Sequence, residues 1–173
     1  TIKFYNKKMK KILYSIFILA VFILVNQCSG YKPIFSTTDL KFKIVNHEIM
    51  GDKLLGNKLY SKLNVLSGSK NNEENVKNIV LILDVKKIKS STSKDSSGKI
   101  LEYKITLNTH VEAKDFLTDK SILKQNFNSS LNYKVQGTYS DTLTLEGKTT
   151  DDLVNKTYQD ILFNLSKNII TPW

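Results

Sequence analysis

Apolar and polar side chains alternate along three long stretches of the chain, with the two-residue period typical of strands that bury one face. These stretches cover residues 79–85, 101–111 and 123–135. The pattern predicts an antiparallel meander, because such a sheet can bury one face and leave the other in water. Residues 90–98 are rich in Ser, Thr, Lys, Asp and Gly, and we interpret them as a mobile hairpin connection.

Shorter patterns precede the meander. Residues 40–45 alternate and predict a first strand, which Gly51 ends. An amphipathic helix then closes at Ser67 and Gly68, and its apolar positions are Leu55, Leu59, Leu63 and Leu66. Residues 69–75 are polar and are expected to form a loop before the next strand.

The clearest helical pattern lies near the end of the chain. Residues 149–152 read Thr-Thr-Asp-Asp, which supplies a cap and places acids at the positive end of the helix dipole. A broad apolar stripe then runs from Leu153 to Ile169, and Pro172 marks the stop. We expect Asp141 and Glu146 to lie in a solvated turn before this helix.

The predicted order of elements is therefore strand, helix, three strands, helix. One apolar sheet face and two helical stripes can bury one another, so the fold class is α+β. We expect a two-layer sandwich in which two helices cover a mostly antiparallel four-stranded sheet. Residues 38–173 would form this single domain.

The segment before this domain has the order of an export signal. Met9, Lys10 and Lys11 form a positive region, followed by an apolar run over residues 12–25. That run is shorter than the roughly 20 residues that a membrane-spanning helix needs. We interpret residues 1–27 as a signal segment whose true start is Met9.

Cys28 is the only cysteine of the chain, and it directly follows the signal segment. This position is similar to that of a lipoprotein cysteine, whose sulfur receives acyl chains that give a lasting membrane anchor. Residues 28–37 would then be a lipidated linker, and Ser29 favours delivery to the outer membrane, facing the periplasm. A rival cleavage after Gly30 stays open, because Gln27 replaces the usual small residue and that cleavage would remove Cys28.

The charge of the chain limits the classes of partner that it can bind. The formal net charge is +10, but five of the 26 lysines precede Cys28 and all 16 acids follow it, so the exported part is only modestly basic. Such a surface suits an anionic lipid or glycolipid, although solubility alone would explain it. The chain contains no arginine, and its lysines are dispersed, so we expect no nucleic-acid binding.

Residues suited to catalysis are few, and we expect no enzyme activity, metal or cofactor. His47 and His110 are far apart in sequence, whereas a zinc site needs more ligands at closer spacing. His110 falls on the polar face of a predicted strand and is expected to be exposed. Capping of the last helix is sufficient to explain Asp151 and Asp152.

Three features of the chain resemble the LptE family of lipopolysaccharide-assembly lipoproteins. Cys28 is followed by Gly30-Tyr31-Lys32-Pro33-Ile34-Phe35, similar to the family's start of Cys-Gly-aromatic-x-Pro-aliphatic-aromatic, with Ser29 as an extra residue. The element order over residues 38–170 and the polar-faced meander closed by a C-terminal helix also match. The resemblance implies a non-catalytic partner of an LptD-type outer-membrane β-barrel that assists delivery of lipopolysaccharide to the cell surface.

Candidate lipopolysaccharide contacts cluster around the hairpin between the first two strands of the meander. Several ammonium groups there could bind lipid phosphates. They could equally be solvated charges that prevent the edge of the sheet from pairing with another chain. The five candidates are Lys86, Lys87, Lys89, Lys94 and Lys99.

Two other interpretations and the barrel contact stay open. The chain could be an accessory lipoprotein of a phospholipid or other envelope ABC-type exporter, or a free lipid carrier, which would need an apolar cavity. A domain that binds inside a barrel should expose aromatic residues. The candidates, each of which could instead belong to the core, are Tyr31, Phe35, Phe116, Tyr139 and Phe163.

Overall fold

The computed structural model describes residues 42–68 and 76–170. Its elements are β1 (Phe42–Gly51), α1 (Lys53–Gly68), β2 (Lys77–Lys94), β3 (Ile100–Asp115), β4 (Ser121–Lys134) and α2 (Tyr139–Ile170). The predicted order of strand, helix, three strands and helix is confirmed. Several predictions lie outside the described residues: the signal segment, the anchor at Cys28, its linker, Tyr31, Phe35, the loop over residues 69–75 and the stop at Pro172.

The four strands form one sheet in the order β1-β2-β3-β4. The pairs β2–β3 and β3–β4 are antiparallel, whereas β1 runs parallel to β2. Parallel neighbours need a crossover connection, and α1 supplies it. The mostly antiparallel four-stranded sheet and the α+β class are therefore confirmed.

The core lies between one face of the sheet and the two helices, as a two-layer sandwich requires. We call this face the helix side and the opposite one the open face. On β2 the buried residues are every second one from Ile79 to Val85. Fully buried residues from the helices meet them, among them Leu59, Leu63, Leu153, Ile161 and Leu165.

The connection after β1 is determined by Gly51 and Asp52. Gly51 has a φ of 72°, in the left-handed region that favours glycine. Asp52 donates its backbone amide to the Val85 carbonyl at 2.7 Å and accepts the Leu55 amide on Oδ1 at 3.1 Å. Asp52 is therefore the N-cap of α1, and it fixes the start of that helix beside the middle of β2.

The prediction of a mobile connection over residues 90–98 was largely wrong. Strand pairing of β2 with β3 continues to Lys94, opposite Ile100. Ser and Thr are compatible with a paired strand, and the Thr92 hydroxyl donates to Glu102 Oε2 at 3.0 Å. Composition alone did not distinguish this polar strand from a loop.

The start of the last helix was also placed too late. α2 begins at Tyr139, where the Thr138 hydroxyl oxygen accepts the Asp141 amide at 3.1 Å and caps the helix. Thr149 lies inside the helix, and its hydroxyl donates to the Leu145 carbonyl at 2.7 Å. Residues 149–152 therefore do not cap α2, and Asp141 and Glu146 lie in its first turns rather than in a preceding loop.

Three hydroxyls in the core have no hydrogen-bond partner within the described part of the chain: those of Thr109, Ser129 and Thr157. A buried hydroxyl without a partner costs about 1–3 kcal/mol. We expect Thr157→Val to raise the free energy of unfolding by about 1 kcal/mol, since it replaces the hydroxyl with a methyl group of similar size. Urea denaturation of the purified protein in detergent, followed by circular dichroism, measures the change.

Thr149→Val is the matched control for Thr157→Val. Thr149 is also buried, but its hydroxyl has the hydrogen bond to Leu145, so the same change removes a contact. We expect no gain from it. Equal gains at both positions would contradict the assignment of the cost to the unpaired hydroxyl of Thr157.

Candidate functional site

The candidate site lies where the sheet extends beyond α1. Because α1 starts beside Val85 and returns toward the beginning of β2, it leaves residues 86–94 of β2 uncovered. We call residues 86–104 the distal hairpin. It contains all five lysines that the sequence singled out. Leu101 and Leu131 were expected in the core, but both are exposed: Leu101 lies at this end of β3, and Leu131 lies on the edge strand β4.

A single carboxylate forms ion pairs with two of the five lysines. Glu146, in the N-terminal part of α2, accepts from Lys87 Nζ at 3.1 Å on Oε1 and from Lys89 Nζ at 2.6 Å on Oε2. The Tyr133 hydroxyl donates to the same Oε2 at 2.9 Å. We call Glu146, Lys87, Lys89, Tyr133 and Tyr103 the Glu146 cluster. It ties α2 to β2 and β4 at the end of the sheet.

The Glu146 cluster has a net positive charge. The side chain of Glu146 is only 16% exposed, and this partial burial by itself raises its pKa. Hydrogen bonds from Lys89, Lys87 and Tyr133 outweigh burial and lower the pKa of Glu146 to about 2. Burial raises the pKa of Tyr133, so its phenol is neutral at physiological pH. Two ammonium groups thus surround one carboxylate.

Lys89 also forms cation–π contacts with two aromatic rings. Its Nζ lies 4.2 Å from the centroid of the Tyr103 ring and 5.8 Å from that of Tyr133, and the two rings stack at 5.7 Å. An ammonium group over a ring face is attracted to it electrostatically. The hydrogen bond to Glu146 raises the pKa of Lys89, so this lysine stays charged.

The turn of the distal hairpin is tightly hydrogen-bonded. Asp95 Oδ1 accepts the amides of Ser97 and Lys99, both at 2.9 Å, and the Ser97 hydroxyl at 2.7 Å. These bonds lower the pKa of Asp95. Lys94 and Lys99 flank the turn with exposed side chains, so a phosphate from solution can reach both of them.

The structure therefore divides the five lysines into three groups. Lys87 and Lys89 lie on the helix side within the Glu146 cluster, and Lys94 and Lys99 lie at the turn. Lys86 lies on the open face, opposite Asn108 in the β2–β3 register. They surround one end of the sheet without forming a single patch.

The sequence offered no signal for the Glu146 cluster. Its members come from β2, β3, β4 and α2, and Glu146 was assigned to a turn because the helix was expected to start at Thr149. The alternation of β3 and β4 did place Tyr103 and Tyr133 on one face, where they are opposite each other in register. The carboxylate of Glu146 lies near these two rings because α2 starts at Tyr139.

The two histidines lie on different strands, His47 on β1 and His110 on β3, with β2 between them. His47 stacks on Tyr60 of α1 with ring centroids 3.8 Å apart. His110 lies on the open face as predicted, but it is half-buried rather than exposed, and its Nδ1 is 2.6 Å from Asn126 Oδ1. Residues 42–68 and 76–170 contain no group of three metal-ligating side chains. Within the same ranges, no helix combines the length and the apolar character that spanning a bilayer requires.

Comparisons with known proteins identify the fold. No protein-family model matches the chain, and no curated protein sequence matches it. The solved structures that share its fold include three bacterial lipoproteins. Lipoprotein B from Nitrosomonas europaea has a TM-score of 0.55 at 16% identity, covering 77% of this chain and 88% of that one. The rare lipoprotein B from Shewanella oneidensis has a TM-score of 0.53 at 12% identity, with coverage of 70% and 94%.

The third structure is a minor lipoprotein from Acinetobacter baumannii, with a TM-score of 0.54 at 14% identity over 75% of this chain and 92% of that one. In each case the match covers most of the lipoprotein. At identities this low, the comparisons establish a common fold and leave the function to the chemistry of the site. The two-layer β-α-β-β-β-α domain of this chain therefore has the fold of these bacterial lipoproteins.

Proposed function

We propose that this chain is an outer-membrane lipoprotein, anchored through acyl chains on Cys28, and that it acts without catalysis as a partner of an LptD-type β-barrel in lipopolysaccharide assembly. The observation that carries the proposal is the fold in common with bacterial lipoproteins over most of their length. The signal segment and the residues that follow Cys28 support the same interpretation. The domain would face the periplasm.

The distal hairpin is the proposed lipopolysaccharide contact. Lys94 and Lys99 offer exposed ammonium groups on a turn that Asp95 holds in place. Such groups attract lipid phosphates at short range. Lys87 and Lys89 add a second positive region, because Glu146 neutralises only one of their two charges.

Affinity purification tests the barrel partnership. A C-terminally tagged chain is solubilised in detergent from outer membranes, and its partners are identified by mass spectrometry. We expect a stoichiometric barrel protein of the LptD type. Recovery of the chain alone, or with an inner-membrane transporter, would overturn the assignment, and the second result would favour an exporter accessory lipoprotein. Intact mass of the wild-type chain and of Cys28→Ala tests the anchor separately.

Removal of the two turn lysines should weaken lipopolysaccharide binding. We expect the double variant Lys94→Gln/Lys99→Gln to lower the affinity about thirtyfold, since each lysine near an anionic lipid surface contributes about 1 kcal/mol. Fluorescence titration of the purified protein with labelled lipopolysaccharide measures this affinity at low salt.

A control variant removes the same charge elsewhere. Lys148 and Lys156 are exposed on α2, away from the hairpin turn. The variant Lys148→Gln/Lys156→Gln should bind almost as the wild type does. An equal loss in both variants would show that only net charge matters and would contradict a contact at the turn.

A further inference from the structure

Strand β4 ends the strand order β1-β2-β3-β4, so it is an edge of the sheet that the described residues form. In an antiparallel pair, residues that bond to the neighbouring strand alternate with residues whose N–H and C=O point away from it. The Val135 amide donates to the Leu101 carbonyl at 2.9 Å, one step beyond the last pair of the β3–β4 register. The odd residues of β4 therefore bond to β3, and the even ones direct their backbone groups outward. The outward residues between the strand ends are Lys124, Asn126, Asn128, Ser130 and Asn132.

Side chains close the two ends of this edge. Asn168 Nδ2 donates to the Ile122 carbonyl, and Gln136 Nε2 donates to the Lys134 carbonyl, both at 3.0 Å. Between these two caps, no hydrogen bond within residues 42–68 and 76–170 reaches the outward backbone groups. Such a row of unpaired amides and carbonyls can pair with a further strand.

The two edges of the sheet differ in their protection against such pairing. Edge strands usually carry charges, a proline or a bulge that prevents it. Strand β1 has such features, because Lys43 and Glu48 are charged and a bulge lies between Ile44 and Asn46. Residues 125–133 of β4 contain no charged residue and no proline, and their pairing with β3 is regular. The β4 edge therefore lacks the features that would keep another strand away.

The sequence of this edge complements a second, antiparallel copy of itself. A two-fold axis through Asn128 places that residue opposite its own copy and Lys124 opposite Asn132. All five outward residues then face one another, and their backbones would form about ten hydrogen bonds, as many as a typical stable interface contains. An axis through Ser129 would instead place Lys124 opposite Lys134, and like charges in that position repel.

The open face adds side-chain hydrogen bonds in the same register. Asn128 Nδ2 donates to Asn108 Oδ1 of β3 at 2.7 Å, and Asn128 Oδ1 has no partner among the described residues. A side-chain amide both donates and accepts, so Asn128 can bond to Asn128 of the second copy. Ladders of asparagine side chains stabilise paired strands in this way. The two-fold register thus extends the Asn108–Asn128 contact across the axis.

We propose that the β4 edge is the interface for a second copy of this chain, and that two four-stranded sheets join there across Asn128 into one eight-stranded sheet. The inference goes beyond the proposed function and does not rest on it. Neither the anchor at Cys28 nor the lysines of the distal hairpin take part in the pairing.

Charges placed on the two-fold axis test the pairing in the full chain. Native mass spectrometry of the purified protein in detergent measures the fractions of monomer and dimer. The wild type should dimerise with a dissociation constant at or below about 100 μM, in the range of small interfaces. Asn128→Lys and Asn128→Asp should each self-associate at least about tenfold more weakly, because two like charges then face each other. An equal mixture of the two variants should form heterodimers as readily as the wild type forms dimers.

Asn57→Lys is the matched control. Asn57 is exposed on α1, the helix that packs on β1 and β2 rather than on β4, so this variant should dimerise as the wild type does. Circular dichroism verifies that every variant is folded. A monomeric wild type, an Asn128→Lys variant that dimerises as the wild type does, or a mixture without heterodimers would overturn the proposal.

Hydrogen exchange identifies the occupant of the edge. In the wild type at dimer-forming concentration, the amides of Asn126, Asn128 and Ser130 should exchange at least about tenfold more slowly than in Asn128→Lys. The amides of Phe127 and Leu131, which bond to β3, should exchange alike in both proteins. Protection that appears only when a different protein is bound would overturn the second copy as the occupant. Recovery of a barrel protein by affinity purification is a separate result, so either proposal can fail while the other stands.

Discussion

Gly51→Ala should cost about 2–4 kcal/mol of the free energy of unfolding, as the sum of a left-handed backbone penalty and overpacking. Gly51 has a φ of 72°, and a Cβ built on it would overlap the Val85 carbonyl oxygen and lie 2.8 Å from Asp84 Oδ1. The Val85 carbonyl cannot move away freely, because it accepts the Asp52 amide at the start of α1. Urea denaturation, followed by circular dichroism, measures the loss.

Gly98→Ala separates the two causes. Gly98 also has a positive φ, of 87°, but no atom lies within 4 Å of a Cβ built there. Only the backbone penalty should remain, about 1–2 kcal/mol. Equal losses at Gly51 and Gly98 would show that the close approach to Val85 adds nothing, and that the crossover from β1 to α1 can adjust.

The strands and the core were predictable because their pattern has a strong physical cause. Burial of one face imposes a two-residue period, so Ile79–Val85 could be assigned to a buried face from the residue order alone. The two-residue period does not indicate which positions on that face are covered in the folded protein. Leu101 and Leu131 obey the alternation and lie on the helix side, but both remain exposed, Leu101 near the end of β3 and Leu131 on the edge strand β4.

Helix α2 shows where local signals fail. Its first turns contain Thr142, Thr144, Gly147, Thr149 and Thr150, residues of low helix propensity, so the sequence favoured a later start. Packing against β4 and the Thr138 cap outweigh that propensity. Because Glu146 depends on this early start, the Glu146 cluster could not be found without the structure.

The candidate site was predictable in position but not in arrangement. The sequence placed five lysines at one hairpin, and all five lie there. Strand alternation implies that Lys86 and Lys87 point to opposite faces, which the register with β3 confirms. The pairing of Lys87 and Lys89 with a carboxylate on α2 is a tertiary contact between residues distant in sequence, and no local pattern encodes it.

Glu146→Gln should cost about 1–2 kcal/mol of the free energy of unfolding, because two partly buried ammonium groups lose their counter-charge while the shape of the side chain is kept. Asp151→Asn is the control. Asp151 forms a 2.6 Å ion pair with Lys58, but its side chain is 56% exposed, so its loss should cost at most about 0.5 kcal/mol. Similar losses in both variants would contradict a special role for the Glu146 cluster.

The same carboxylate should make stability depend on acid pH. Partial burial raises the pKa of Glu146, but the hydrogen bonds from Lys89, Lys87 and Tyr133 prevail and lower it from 4.5 to about 2 in the folded protein. A group whose pKa falls on folding stabilises the protein at any pH above its unfolded pKa, and that contribution is lost as protons bind. The loss should therefore develop between about pH 4.5 and pH 2.

Comparison of pH profiles isolates this contribution from that of other carboxylates. Urea denaturation of the wild type and of Glu146→Gln at a series of pH values should give curves that differ by about 1–2 kcal/mol at pH 6 and converge toward pH 2, since a protonated Glu146 resembles the amide. Asp151→Asn should follow the wild type throughout. Parallel curves for Glu146→Gln and the wild type would mean that Glu146 titrates alike in the folded and unfolded chains, and the ion pairs to Lys87 and Lys89 would then contribute nothing to the anchoring of α2.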